Sequence, residues 1–148
     1  TPEGVLAFAQ KLEDQPDYIP QTEEERMLER AMATCAIRTA LRRHAGHYAE
    51  VEDPVMGIMA GTAMGRDLRH VHRVLCVGGI FVHTEEAAGR TMVLRSFEEP
   101  GISLLPLEEP DVILDRNYLL YAMGVLGKHY PDAACSFLKE YVGAATEE

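Results

Sequence analysis

The spacing of apolar residues predicts two helices at the start of the chain. Residues 3–13 place their apolar side chains on one side of a helix, and a break with two prolines follows at 14–21. Thr22 then has the position of an N-cap, and Glu25 lies three residues later, where the acidic member of a capping box belongs. The apolar stripe continues at helical spacing, so we expect the second helix to run to about His44.

Glycine and proline interrupt this pattern in the middle of the chain. Gly46 stands just beyond the second helix, in the C′ position where many helices end. Pro54 disfavours helix, and residues 55–60 alternate only weakly between apolar and polar. We expect this region to be strand or loop and then rich in turns, because further glycines follow at 57, 61 and 65.

A short apolar run at 74–77 stops at a glycine pair, Gly78 and Gly79. The run predicts a strand that brings bare backbone to a sheet edge, where an amide can approach a ligand with no Cβ in the way. Many nucleotide-binding α/β proteins use this arrangement, often with a helix N-terminus facing the ligand. Buried strands also end in glycine for purely structural reasons, so both interpretations stay open here.

Further helices are predicted after this strand. Thr84 can cap one of them, with Glu85 and Glu86 in its first turn and residues 92–94 on its buried side. Residues 102–107 favour a short strand, and 112–114 form another apolar element.

The last third of the chain ends in two predicted helices. One should span about 117–129, and the other should open at Pro131 or Asp132 and run through Val142. One stripe of the first is expected to be buried against the sheet; it comprises Leu119, Leu120, Met123 and Leu126.

This order of elements predicts the fold class α/β, with a small mixed sheet packed with helices. A chain of 148 residues is long enough for one domain with a core, so we expect residues 1–148 to form a single domain. It begins without methionine, directly in a helix-like segment, which suggests a processed chain or a piece of a longer protein.

Charge and composition narrow the function classes. The formal net charge is −10, which argues against nucleic acid because phosphate binding needs a basic face. No apolar run approaches the length that spans a membrane, and no signal peptide is visible. Cys35, Cys76 and Cys135 lack metal spacing and are interpreted as buried thiols in a reducing cytoplasm.

No catalytic motif stands out among the remaining residues. His70 and His72 would share one strand face, which could bind a metal, but a polar strand face is the favoured interpretation. Caps and ion pairs are the default roles of Asp111, Asp115 and Arg116, which precede a helix. Tyr118 and Tyr121 lie among apolar neighbours and are interpreted as core.

Several segments together resemble a known family. The most specific is Asp115-Arg116-Asn117-Tyr118-Leu119-Leu120-Tyr121-Ala122-Met123-Gly124. The others are Arg43 to Gly46, Gly65 to Leu68, Val74 to Gly79 with His83, Tyr130 to Ala134, and Leu138-Lys139. In this order they are similar to the C-terminal part of the accessory protein (component L) of adenosylcobalamin-dependent glutamate mutase and related aminomutases, over roughly residues 30–142.

The resemblance implies a fold and a role. It implies the second lobe of an actin, Hsp70 and sugar-kinase type of fold, in a two-lobed protein that closes on ATP. It also implies a reactivating chaperone that uses ATP to release damaged cobalamin from a mutase. The partners would then be an adenosylcobalamin-dependent mutase and a missing N-terminal lobe or partner chain.

In such a protein, Gly78 and Gly79 match the adenosine-side glycine motif, and the adenosine of ATP or ADP would lie over them with Thr84 nearby. The family usually has Gly-Thr-Gly-Gly there, whereas this chain has Cys76-Val77-Gly78-Gly79. The phosphate loop of the first lobe and the acidic residue that holds Mg²⁺ have no counterpart here, so Mg²⁺ would come with the missing lobe.

Two hypotheses follow from the resemblance and its departures. The chain is either the nucleotide-binding lobe of a reactivating ATPase or an interaction or oligomerisation module with a decayed nucleotide site. In both cases we expect a cytoplasmic protein that, as an isolated chain, does not hydrolyse ATP.

Overall fold

The computed structural model describes residues 1–144. Over that range it has a mixed α/β architecture, which confirms the predicted fold class. The helices are α1 (Pro2–Asp14), α2 (Glu23–His44), α3 (Gly79–His83), α4 (Glu86–Arg95), α5 (Leu119–Leu126) and α6 (Pro131–Ala144). The strands are β1 (His47–Tyr48), β2 (Ala63–Met64), β3 (Arg73–Cys76) and β4 (Asp111–Leu114).

The core is built around β3 and β4, which pair in parallel with Arg73 opposite Asp111 and Cys76 opposite Leu114. The connection between them carries α3 and α4, as a parallel pair requires a crossover. The largest buried cluster comprises Cys76, Phe81, Met92, Val93, Val112 and Leu114. Because α4 crosses close to β4 at Gly89, a Cβ there would lie only 2.8 Å from Leu114 Cδ1.

Helix α2 packs on α4 and closes the core from the other side. Its half-buried Ala33 and Ile37 lie against the buried cluster. Ser96, fully buried after α4, donates through Oγ to the carbonyl oxygens of Met92 at 3.0 Å and Thr34 at 3.2 Å. Arg38 of α2 also donates to the carbonyl oxygen of Arg95 at 2.6 Å, and this bond satisfies an acceptor at the end of α4.

The α1–α2 junction is organised by one carboxylate, that of Glu25. The predicted capping box is confirmed, since the Thr22 side chain accepts from Glu25 N and Glu25 accepts from Thr22 N. Glu25 also accepts from Lys11 Nζ at 2.7 Å and from Tyr18 Oη at 2.8 Å. The Lys11 ammonium lies 3.6 Å from the centre of the Tyr18 ring, so α1, the connecting loop and α2 meet at one point.

Gly46 follows α2 as expected, but it does not end the helix by a left-handed turn. The C-cap is Ala45, and Gly46 is not among the glycines with positive φ. The β1–β2 ribbon, in which His47 pairs with Met64, passes so close that a Cβ at Gly46 would overlap the Met64 carbonyl oxygen. The turn-rich segment is confirmed, with positive φ at Gly57 and Gly61 before β2 and at Gly65 directly after it.

Three predicted elements in the second half differ from the structure. Thr84 does not cap α4: the N-cap is Glu85, which accepts from Ala87 N and Ala88 N. Thr84 is instead the C-cap of the short α3, and it is buried. Residues 102–107 form no strand beyond a bridge from Ser103 to His47, because the buried Leu104 and Leu105 pack as an irregular segment.

Helix α5 is shorter than predicted and is not buried. It spans Leu119–Leu126, and none of its residues is buried. It packs on α6 rather than on the sheet, so the expected burial of Leu119, Leu120, Met123 and Leu126 against the sheet is wrong. Tyr118 and Tyr121 are likewise exposed rather than core, and Cys35 and Cys135 are exposed while Cys76 is buried.

The contact at Gly46 generates a prediction about stability. We expect Gly46→Ala to lower the free energy of unfolding by about 1–3 kcal/mol, because the new methyl group meets backbone atoms that cannot turn away. Its Cβ would lie 2.8 Å from Arg66 N, besides overlapping the Met64 carbonyl. Urea unfolding followed by circular dichroism measures this.

Gly124→Ala is the matched control, because a Cβ there meets nothing within 4 Å and alanine favours helix over glycine by about 1 kcal/mol. It should leave stability unchanged or raise it. Equal stabilities for Gly46→Ala and Gly124→Ala would contradict the close approach of the ribbon.

The Glu25 cluster predicts a pH dependence. Hydrogen bonds from Lys11, from the Gln21 N–H and from Tyr18 lower the pKa of Glu25 from its ordinary 4.5 to about 2. A carboxyl whose pKa is lower in the folded state stabilises the fold fully above its unfolded pKa and loses that contribution as pH falls toward its folded pKa. Wild type should therefore be more stable than Glu25→Gln at pH 7, and the difference should shrink between pH 4.5 and about 2.

Thermal unfolding of both proteins across this pH range measures the difference. Glu24→Gln is the control, since Glu24 is exposed on the same turn. A Glu25→Gln effect that stays constant from pH 7 to pH 2 would show that the carboxylate charge is not what stabilises the junction.

Candidate functional site

The candidate site lies at the carboxyl ends of β3 and β4. These strands are parallel and in register, so the segments that follow them leave the sheet at the same edge. Asp115 N continues the ladder by donating to the Cys76 carbonyl oxygen at 2.8 Å. Gly78 and Gly79 thus follow one strand while Asp115 to Tyr118 follow the other, and such an edge is where α/β proteins place ligands.

The two glycines are required for different reasons. Gly78 has φ +140°, which side-chain-bearing residues rarely adopt, and a Cβ there would meet nothing within 4 Å. Gly79 begins α3 with an ordinary φ, and a Cβ there would lie 3.3 Å from Tyr118 Oη. Gly78 therefore sets the direction of the turn, whereas Gly79 keeps the backbone open beside Tyr118.

Tyr118 holds an uncommon backbone conformation over this edge. Its φ is +54° and ψ is 25°, which is the left-handed region for a residue with a bulky side chain. It occupies the N-cap position of α5 without making a side-chain cap. About 45% of its surface is exposed, so the ring is available to solvent and to a ligand at the strand ends.

Asp115 holds the loop that carries Tyr118. It is fully buried, and its carboxylate accepts from Leu119 N at 2.8 Å and from Leu120 N at 2.9 Å. Tyr141 Oη of α6 donates to the same carboxylate at 3.1 Å. Burial, then this hydrogen bond, raises the pKa of Tyr141. The interpretation of Asp115 as a helix cap is confirmed. Three residues separate it in sequence from Leu119, the first residue of α5.

A cleft of about 310 Å³ opens beside Gly79. The loop between α1 and α2 forms one wall through residues 16–20, and Glu29 of α2 with Ile80 and His83 of α3 forms the other. Burial raises the pKa of Glu29, and the positive charge of His83 opposes that rise. The cleft thus combines bare backbone, several apolar side chains, a histidine and two carboxylates, those of Asp17 and Glu29.

Only part of the predicted site comes together. Gly78 and Gly79 lie at the strand end as expected, and Gly79 lines the cleft. Thr84 is only 6% exposed and does not line that cleft; its Cγ2 faces Gly89 of α4 on the core side. Sequence reasoning missed Glu29 and residues 16–20, because a mid-helix carboxylate and a proline-containing loop carry no signal that they approach a glycine 50 residues away.

Other candidate chemistry is not gathered at this site. Burial raises the pKa of the Cys76 thiol to about 11, so it stays protonated at neutral pH. Among residues 1–144, no three His, Cys, Asp or Glu side chains group as metal ligands. His70 and His72 lie in the turn before β3, not on the strand, so they do not form a shared strand face.

Comparison with known proteins decides the family. A family model described as MutL protein matches residues 2–142. The chain belongs to the MutL family. This is the family of glutamate mutase accessory proteins that the sequence resembles, and the match extends beyond residues 30–142 to include α1 and the loop at 14–21.

A curated MutL relative supports the same assignment. Protein MutL of Clostridium tetanomorphum is 34% identical over 124 residues, which is 84% of this chain and 26% of the relative. The chain therefore spans about a quarter of the length of the curated MutL protein that it matches. No solved structure matches. None of the described helices combines the length and apolar character needed to cross a bilayer.

The buried Asp115 generates a prediction for this MutL family member. Asp115→Ala should lower the free energy of unfolding by about 1–3 kcal/mol, because it leaves the N–H groups of α5 and the Tyr141 hydroxyl without their acceptor. Tyr141→Phe is the matched control, since it removes one hydrogen bond and should cost about 0.5–1.5 kcal/mol. Chemical unfolding measures both, and an Asp115→Ala loss no larger than that of Tyr141→Phe would contradict the capping role.

Proposed function

We propose that this chain is the nucleotide-binding lobe of a factor that reactivates an adenosylcobalamin-dependent mutase. In this proposal the chain contacts the adenosine end of ATP or ADP. Membership of the MutL family supports an accessory role toward glutamate mutase. The single observation that carries nucleotide binding is the open cleft at Gly79, at the carboxyl end of a parallel strand pair.

The charge of the cleft favours adenosine over phosphate. Asp17 and Glu29 line it, and carboxylates accept hydrogen bonds from ribose hydroxyls but repel phosphate oxygens. The basic side chain that lines the cleft is that of His83, which shares this lining with Glu29. The phosphates and Mg²⁺ would therefore be held outside this cleft, by a lobe or partner chain beyond these 148 residues.

The length of the MutL relative is consistent with a nucleotide site that is shared between this chain and another lobe. The matched segment makes up 26% of that protein, so most of its chain is available for other lobes. A cleft that binds only one end of a nucleotide needs such a second surface, because phosphoryl transfer depends on groups that hold the phosphates and the metal ion.

A second function is favoured by Tyr118. Its hydroxyl lies beside Gly79, in the space that a ligand over the glycine would use. Val77 also stands where the family's glycine motif usually has threonine. Both observations favour an interaction module whose nucleotide site has decayed. The two functions differ in one measurable property, the affinity of the chain for adenosine and its phosphates.

Titration calorimetry of the chain with adenosine, ADP and ATP tests the proposal. We expect adenosine and ADP to bind with affinities within about tenfold of each other, which is 1.4 kcal/mol, because the phosphates gain no contact with this chain. Gly79→Val should abolish binding, since its side chain would stand between the backbone of this cleft residue and Tyr118 Oη, where the proposal places adenosine. No ATP hydrolysis above background is expected from wild type.

Gly124→Val is the matched control, because that glycine lies in α5 away from the cleft and has open space around it. Circular dichroism establishes that both variants are folded. Absence of binding at millimolar adenosine and ADP would favour the interaction module. Equal affinity of wild type and folded Gly79→Val would show that the glycine serves only the turn.

A further inference from the structure

The α5–α6 hairpin exposes far more apolar surface than its own contacts cover. Every residue of α5, Leu-Leu-Tyr-Ala-Met-Gly-Val-Leu, is apolar, yet none is buried. Tyr121 is 70% exposed and Val125 is 50% exposed. A surface helix normally carries a polar outer face, and a helix that is apolar all round is covered on all sides. No element among residues 1–144 therefore covers the outer side of this hairpin.

A groove of about 570 Å³ runs between the two helices. Met123 of α5 with Leu138 and Val142 of α6 form its apolar walls. Gly124 and the buried Ala134 also line the groove, and neither carries a side chain large enough to fill it. A Cβ at Gly124 would meet nothing within 4 Å, so no contact inside residues 1–144 explains a glycine in the middle of this helix.

The charge of the groove is opposite to that of the chain. The chain has a formal net charge of −10, but the charged residues that line the groove are Arg73 and Lys139, with no described carboxylate among them. Arg73 is paired with Asp111 at 3.3 Å. Lys139 is exposed and has no ion pair or hydrogen bond among the described residues. Within residues 1–144 the groove thus offers apolar walls and one cation without an ion pair, that of Lys139.

The positive charge of the groove disfavours a dimer in which the grooves of two copies of the chain face each other. In a two-fold dimer built on this face, the Lys139 side chains of both copies would approach a shared apolar seam with no carboxylate between them. A surface with its own acidic groups is the better complement.

We propose that the α5–α6 groove is a docking site for an acidic amphipathic helix of a partner protein. The partner's apolar stripe would lie on Met123, Leu138 and Val142, and small residues at Gly124 and Ala134 would allow its backbone to approach closely. A carboxylate beside the stripe would pair with Lys139. This proposal does not depend on nucleotide binding, since the groove and the Gly79 cleft share no lining residue.

Fluorescence anisotropy with the full chain tests the proposal. The probe is a labelled 18-residue helical peptide with leucines at i, i+4, i+7 and i+11 and glutamates beside them; a second peptide has lysines in place of the glutamates. We expect the glutamate peptide to bind at least about tenfold more tightly, a difference of 1.4 kcal/mol. Raising the salt concentration should reduce this preference.

Two variants locate the binding. Gly124→Leu should weaken the glutamate peptide at least about tenfold by filling the groove, and Lys139→Glu should reverse the preference between the peptides. Ala122→Leu, on the same helix but outside the groove, and Lys128→Glu, exposed on the turn after α5, are matched controls that should bind as wild type does. Circular dichroism confirms that each variant is folded.

Several results would overturn the proposal. These are no binding of the glutamate peptide, equal binding of both peptides, or unchanged binding to folded Gly124→Leu. Sedimentation velocity of the chain alone tests the competing occupant. A dimer that Gly124→Leu converts to monomer would assign the groove to a second copy of the chain, against the proposal.

Discussion

The candidate site depends on the carboxylate of Asp115. It is fully buried where β4 ends, and it holds the first N–H groups of α5 together with the Tyr141 hydroxyl of α6. Its own N–H extends the parallel ladder to Cys76. One residue thus connects the sheet edge to the helical hairpin and sets the loop in which Tyr118 lies beside Gly79. An apolar residue of similar size would leave two N–H groups of α5 and the Tyr141 hydroxyl without this acceptor.

The cleft at Gly79 and the α5–α6 groove differ in the chemistry of their linings. The cleft at Gly79 is bounded by a loop that Glu25 anchors to α2, and it carries carboxylates suited to hydroxyl donors. The α5–α6 groove is apolar with cations at its rim. Because Asp115 caps α5 and leads into the loop that carries Tyr118, the position of α5 and the opening beside Gly79 depend on the same buried side chain.

Local patterns were predictable where neighbouring residues decide them. The capping box of Thr22 and Glu25 and the cap role of Asp115 follow from side chains that accept from backbone N–H groups a few residues away. The apolar run at 74–77 predicted a strand, and the structure has it one residue earlier, at Arg73–Cys76. The parts that failed depend on distant elements. Thr84 has the chemistry of a cap, but packing of α3 on α4 buries it and leaves Glu85 to cap the helix. The stripe on α5 predicts burial, but α6 covers only part of it.

The sequence by itself therefore determined the fold class, most helix bounds, the glycine pair at a strand end and the family. These properties reside in short-range hydrogen bonding, in backbone freedom and in residue order. Only the tertiary structure decided that Gly46 is a close-approach glycine, that residues 16–20 and Glu29 complete the cleft, and that α5 stays uncovered. Each of these depends on contacts between elements that are far apart in sequence. Such contacts are determined by how all the elements pack together and not by neighbouring residues.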